Sequence, residues 1–236
     1  MPEGAYIGSE LEIFQHAVNW KKYYGSLIRP FLGAEVLEVG AGIGATTEVL
    51  LSAEQTRWVC LEPDSPLADE LVKKIGDGRL PPICEPRVGD VSRLGEKETF
   101  DSIIYIDVLE HIENDREEIN AAAAHIGPGG HLIVLSPAHQ FLFTPFDKAI
   151  GHFRRYSRES LNEVVSGSGL SHVRSMYLDS VGTLASLANK MLLRSSSPSK
   201  DQIVFWDRFL VRASRFSDKA LFHKFGKSIL GIWRKS

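Results

Sequence analysis

Residues 36–47 read VLEVGAGIGATT. A run of strand-forming residues stops at Gly40, Gly42 and Gly44, and a helix-forming run from Ala45 to Leu51 follows. Glycine is the residue for places where backbone turns sharply or passes close to a ligand. Three alternate glycines after a strand exceed what a tight connection needs. The turn therefore predicts a bound ligand, and the flanking chain has to say which one.

Outward from this turn, strands and helices alternate. Strands are predicted at 35–40, 57–62, 83–90, 100–108, 131–137, 171–178 and 226–235. Helices are predicted at 45–53, within 65–75, from a cap at Asn114 with Glu117 in the capping-box position, and at 157–165. Ile103, Ile104, Tyr105 and Ile106 form a continuous apolar run, as a strand buried on both faces should. The alternation predicts an α/β fold, a doubly wound and mostly parallel sheet covered on both faces. Ligands of such sheets bind outside the carboxyl ends of the strands. Leu11, Phe14, Val18, Tyr24, Leu27 and Ile28 stand at helical spacing ahead of the first strand. One domain is expected over 1–236: a helical cap at 1–33, a core at 34–180 and 226–236, and a helical insertion at 181–225. SSSPS at 195–199 reads as a flexible turn.

The chain has 236 residues, 43% of them hydrophobic, and a formal net charge of -3, enough for one ordinary core and no case for nucleic acid. Cys60 and Cys84 sit in apolar or Pro-rich settings and read as buried reduced thiols. The N-terminus lacks a basic segment followed by an apolar one, so no signal peptide is expected. No apolar stretch approaches the roughly 20 residues that cross a bilayer. A cytoplasmic protein is expected, with peripheral membrane contact left open. No metal is expected.

The glycine turn by itself fits G-x-G-x-x-A of a nicotinamide enzyme through Gly40, Gly42 and Ala45. Glu62, at the end of the second strand, fits either kind of nucleotide, since a carboxylate there accepts from ribose hydroxyls. Glu38 adds negative charge where a pyrophosphate would lie, and suits a ligand with a cationic amine. Asp90 can accept from an exocyclic adenine amine. Asp107, Glu110 and His111 crowd the end of the fourth strand, and packing does not explain such a cluster. No Tyr-x-x-x-Lys pair supports hydride transfer.

LEVGAGIG, LEPD, GDV and DVLEHI, in this order and spacing, resemble the class I S-adenosylmethionine-dependent methyltransferases over roughly residues 30–180 and the last strand. The resemblance implies a Rossmann-like methyltransferase fold with seven strands, the last inserted antiparallel, and S-adenosylmethionine as cofactor. It implies that Gly40, Ala41 and Gly42 approach the methionine part and that Glu38 helps to hold it, commonly through water. By the same resemblance Glu62 binds the ribose, Asp90 the adenine amine with Val91 against the ring, and Asp107 and Val108 line the sulfonium end. A NAD(P)-dependent oxidoreductase and a methyltransferase-like partner subunit without catalysis are the competing readings.

A methyl acceptor with a hydroxyl needs a base; a carboxylate or free amine does not. His111, His139 and His152 are the candidate bases, with His111 and His152 preferred. His152 belongs to PFDKAIGHFRRYSRESL (145–161), whose Gly-His-x-Arg-Arg-Tyr pattern resembles stretches in uncharacterised bacterial members of the family. Arg154, Arg155 and Tyr156 are expected to bind the acceptor. A guanidinium makes two parallel bonds to a carboxylate or phosphate, so an acidic acceptor is expected. The acceptor class is a small or lipid-like molecule.

In the insertion, Arg208, Arg212, Arg215 and Lys219 form one helical stripe, and Ile203, Trp206, Leu210 and Ala213 another. Such a helix can lie on an anionic membrane through 203–225, close the pocket as a lid, or simply pack on its own domain. Trp20, Tyr23 and Tyr24 are expected either to wall the cofactor or to be core.

Overall fold

A computed structural model describes residue 11, residues 14–192 and residues 199–236, the side chains of 188–192 excepted. Most of SSSPS therefore lies outside the described residues. The strands are β1 (Glu35–Val39), β2 (Arg57–Glu62), β3 (Cys84–Val88), β4 (Phe100–Ile106), β5 (Ile126–Pro137), β6 (Leu170–Leu178) and β7 (Ser228–Lys235). They form one sheet in the order β3-β2-β1-β4-β5-β7-β6. β1 to β5 pair in parallel, and β7 runs antiparallel between β5 and β6. The mostly parallel sheet of seven strands with an antiparallel last strand is as expected, and its strand order reverses between β1 and β4.

The helices are α1 (Val18–Ile28), α2 (Thr47–Leu50), α3 (Ser65–Gly76), α4 (Asp115–Ala124), α5 (Pro145–Ala149), α6 (Arg158–Val165), α7 (Ser180–Leu192), α8 (Lys200–Phe205) and α9 (Val211–Ala220). Alternate strand residues feed two cores. Val36, Trp58, Cys60, Ile104 and Ile133 pack with α1, α3 and the insertion; Leu37, Val59, Ile103, Tyr105 and Leu132 pack with α4 and α6. The period of two in strands is what splits one apolar run between two faces. Cys60 and Cys84 are free and buried.

Three expectations are corrected. The helix after the glycine turn is a single turn, Thr47–Leu50, because Ser52 and Gln55 bond to each other and divert the chain towards β2. Asn114 stands at the α4 N-cap position but makes no side-chain cap bond, so no capping box with Glu117 forms. Its backbone (φ -97°, ψ 57°) lies outside the extended region that aims a cap side chain at the first turn. β5 begins at Ile126 rather than 131, and Gly127–Gly130 is taken up as an irregularity between the pairs Phe100↔Ile126 and Ser102↔His131.

The insertion deviates from its predicted stripe for a definite reason. Residues 206–210 form a π-turn, which adds one residue to the helical repeat. The buried positions after Trp206 become Asp207, Val211, Ser214 and Asp218, and Ala213 is exposed. Arg208, Arg212, Arg215 and Lys219 are exposed as expected. Asp207 Oδ1 accepts from Trp20 N at 2.8 Å, and Oδ2 from Asn19 N at 3.1 Å. An acid from the insertion thus caps α1, whose own N-cap, Ala17, offers no side-chain acceptor. Asp218 accepts from Asp179 N, Ser180 N and Tyr23 Oη in the same manner at the start of α7. Among the described residues, no helix is long and apolar enough to cross a membrane.

Candidate active site

The carboxyl ends of β1, β2 and β4 open into a cavity of about 1640 Å³, roofed by α1 and by residues 201–210 of the insertion. Its floor is the glycine turn. Gly40, with φ +66°, donates to Leu61 O at 2.8 Å, and a Cβ there would stand 2.6 Å from Val108 Cγ2. The turn can close against the β4 loop only because that Cβ is missing. Glu62 lies beside it, Oε2 accepting from Gly42 N at 2.7 Å and Oε1 from Asp64 N at 3.0 Å. Burial pushes its carboxyl up, against those two bonds.

Gly40, Ala41, Gly42, Glu62, Asp90, Asp107 and Val108 all line the cavity. Asp90 is exposed and accepts from Ser92 N and Oγ. Glu38 is one layer behind, accepting from Thr47 Oγ1 at 2.6 Å and Trp58 Nε1 at 2.8 Å. Burial raises its carboxyl to about 7. Val91 is buried with Val39 and Leu61 in the core and does not line the cavity. Trp20 and Tyr24 are wall residues, whereas Tyr23 is core alone; Trp20 and Trp206 meet with ring centroids 5.8 Å apart.

Asp107 sits at φ +54°, a left-handed conformation that Asp tolerates better than most residues. It opens to the cavity but is enclosed by protein, and this burial raises its carboxyl to about 6 against the pull of His152, Lys227 and Lys21. One helical turn on, Glu110 is fully buried. Ser136 Oγ donates to its Oε2 at 3.0 Å, while Oε1 has no partner. Burial, then Asp107, holds this carboxyl well above the usual range. Burial and His152 push the His111 imidazole down to about 4, so it is neutral near pH 7.

His152 is brought to His111, ring centroids 4.5 Å apart. Its Nδ1 is 3.0 Å from Asp147 Oδ1. Asp147 closes a capping box with Thr144 at the start of α5 and accepts both Nε (2.8 Å) and Nη2 (3.0 Å) of Arg155. Burial works against ionisation here, but His152 and Arg155 hold the Asp147 carboxyl far below the usual carboxylate range. Of the three residues expected to bind acceptor, only Arg155 lines the cavity. Arg154 pairs with Asp115 and donates to Glu113 O, and Tyr156 is buried with its hydroxyl on Asp115 at 2.8 Å. His139 is away from the cavity, stacked on Tyr177 and Phe141.

Two cavity lysines were missed from the sequence. Lys21 Nζ donates to Phe14 O at 2.7 Å, and burial pushes its pKa down to about 8. The signal was present: Ala17, Trp20, Lys21 and Tyr24 share one helical face, so this lysine points inward. Lys227 lies 4.0 Å over the Trp206 ring and 3.4 Å from Asp179. Nothing in its local sequence marks it.

A family model described as a methyltransferase domain matches residues 16–175. A mitochondrial ubiquinone biosynthesis O-methyltransferase of Schizosaccharomyces pombe is 30% identical over 108 residues, 44% of this chain and 38% of that relative. The chain thus spans well under half of that relative's length. Among solved structures, phosphoethanolamine N-methyltransferase 2 of Haemonchus contortus in complex with S-adenosylmethionine superposes with a TM-score of 0.67 at 12% identity, covering 100% of this chain and 61% of that one. An S-adenosylmethionine-dependent methyltransferase from Clostridium acetobutylicum gives 0.58 at 13% identity, covering 92% and 91%. At these identities the structural likeness is one of fold.

Proposed function

We propose, from the premise that the chain belongs to the methyltransferase-domain family and is an S-adenosylmethionine-dependent methyltransferase, that its acceptor is a small or lipid-like molecule methylated on a hydroxyl oxygen. The observation that carries this reading is the cavity. At about 1640 Å³ it exceeds the 300–1,000 Å³ of ordinary ligand pockets, so a second molecule fits beside the cofactor. Phe14, Ile203, Phe205, Trp206 and Leu210 make its roof apolar.

The chain's residues fit the cofactor. The missing Cβ of Gly40 and the positive φ of Gly42 leave the turn's backbone open to the methionine part. In this reading Glu62 takes the ribose hydroxyls, Asp90 the adenine amine, and Asp107 with Val108 the sulfonium end, while Glu38 stiffens the turn from behind. Bound S-adenosylmethionine supplies a methyl group already activated for displacement. The chain holds the acceptor against it, which removes several kcal/mol of the barrier, and takes up the hydroxyl proton. In this reading His152, held by Asp147, would take that proton, with neutral His111 beside it.

An acidic acceptor has less support, because both guanidiniums are held by Asp147 and Asp115. Lys21 and Lys227 are the cations that would meet any acidic group. Phe205 joins the cavity wall to an exposed surface carrying Phe209, Phe216, Arg208 and Arg212. That surface suits peripheral contact with an anionic membrane, from which an apolar acceptor could enter, and a cytoplasmic protein at the membrane periphery fits it.

The test measures S-adenosylhomocysteine release with a phenol, an amine and a carboxylic acid, each with and without an isoprenoid tail. The tailed phenol is expected to turn over best. Turnover confined to the amine or the acid would overturn the hydroxyl reading. Co-sedimentation with anionic vesicles, weakened by salt, is expected alongside.

A further inference from the structure

We propose that Glu110, His111 and His152 bind one divalent transition-metal cation at the acceptor end of the cavity. One ligand atom from each lies within 4.8 Å of the others. Ligand atoms about 2.1 Å from one tetrahedral ion stand about 3.4 Å apart, so an inward move of at most about 0.8 Å by each of the three completes the set.

Three further observations point to an ion. Glu110 Oε1 is fully buried and has no partner, although buried carboxylate oxygens are normally satisfied. His152 Nε2 lies 3.9 Å from that oxygen, too far for a hydrogen bond and well suited to two ligands of one ion. Asp147 occupies Nδ1 of His152, which leaves Nε2 as the ring nitrogen on the side of Glu110. Beyond the ligands, Asp147 holds His152 and Ser136 holds Glu110. Partners of this kind orient and strengthen metal ligands. Two imidazoles and one carboxylate favour zinc, manganese or iron over magnesium or calcium.

The site itself is independent of the acceptor; its role rests on the function proposed above. The cation would bind the acceptor's hydroxyl oxygen. The O–H bond then breaks, its electron pair stays on the oxygen, and the proton leaves to water. With the cation bound, both ring nitrogens of His152 are occupied, and the cation's pull on the oxygen replaces the base role that His152 would fill in its absence.

The full chain, stripped with chelator, is titrated separately with Zn²⁺, Mn²⁺ and Mg²⁺ by calorimetry, and its metal content is measured after dialysis. One equivalent of Zn²⁺ or Mn²⁺ is expected, with Mg²⁺ much weaker. His111→Ala, His152→Ala and Glu110→Gln should each weaken binding tenfold or more, Asp147→Asn by about 10–100-fold, and the remote His172→Ala not at all. Co²⁺ should give visible absorption bands in the wild type that His152→Ala loses. Binding of S-adenosylhomocysteine to the same samples reports the fold and the cofactor site. Retained cofactor binding with no stoichiometric metal, or with equal metal affinity in the wild type and in all three ligand variants, overturns the metal site and leaves the methyltransferase reading intact.

Discussion

The two halves of the cavity are built differently. On the cofactor side the main chain forms the surface: a turn at residues 40–44, with Glu62 pinned by the backbone N–H groups of Gly42 and Asp64. On the acceptor side, side chains form it, and they come from α1, the β4 loop, α5, residues 152–155, the insertion and Lys227. A surface made of main chain demands glycine at fixed spacing and leaves a mark in a dozen residues. A surface made of converging side chains leaves no compact mark, because topology alone brings its members together.

Four measurements can break or sharpen this contrast. The largest effect is expected for His152→Ala, which should lower kcat by about 10²–10⁴-fold while S-adenosylhomocysteine affinity stays put. A parallel loss of that affinity would mean that the halves are not separable. Next is the pH dependence of Glu38, whose carboxyl burial raises from 4.5 to about 7. The folded chain keeps a proton that the unfolded chain releases, so this group favours folding fully below pH 4.5 and loses its contribution as pH rises through 7. Against Glu38→Gln, the wild type should lose about 3 kcal/mol between pH 4 and pH 8, read by chemical denaturation. A flat difference would place water at Glu38.

Gly40→Ala adds left-handed strain of about 1–2 kcal/mol and a collision with Val108. Calorimetry should show cofactor affinity about ten- to a hundredfold weaker, with metal binding at His152 unchanged. The smallest effect belongs to Asp207→Ala, which removes the cap of α1. A loss of about 1–2 kcal/mol should lower the thermal midpoint by about 2–8 °C.

The same contrast governs what could be read in advance. The alternation of strands and helices and the carboxylates at strand ends follow from short apolar runs and the glycine turn, all local, whereas the antiparallel last strand comes only from the resemblance of the ordered motifs to a known family. The loop at 145–156 shows the limit. Its crowd of acid, imidazole and arginine was visible, but the arginines were expected to face the acceptor. Folding gives Arg155 to Asp147, eight residues away, and Arg154 to Asp115, because a buried carboxylate must find a cation before any ligand arrives. The π-turn was hidden for another reason. A helical wheel assumes a constant repeat, and one added residue at 206–210 moves the buried face from Ala213 to Ser214. Glu110 lay in a motif already noted, yet only the fold brings His152 to it across 42 residues.

The cap of α1 also bears on how the chain is made. α1 has 11 residues, too few to be helical on its own in water. It leaves the ribosome 187 residues ahead of the aspartate that satisfies its amino end. During synthesis the roof of the cavity therefore waits for the insertion, and a nascent chain arrested before residue 207 would carry a formed glycine turn under an open top.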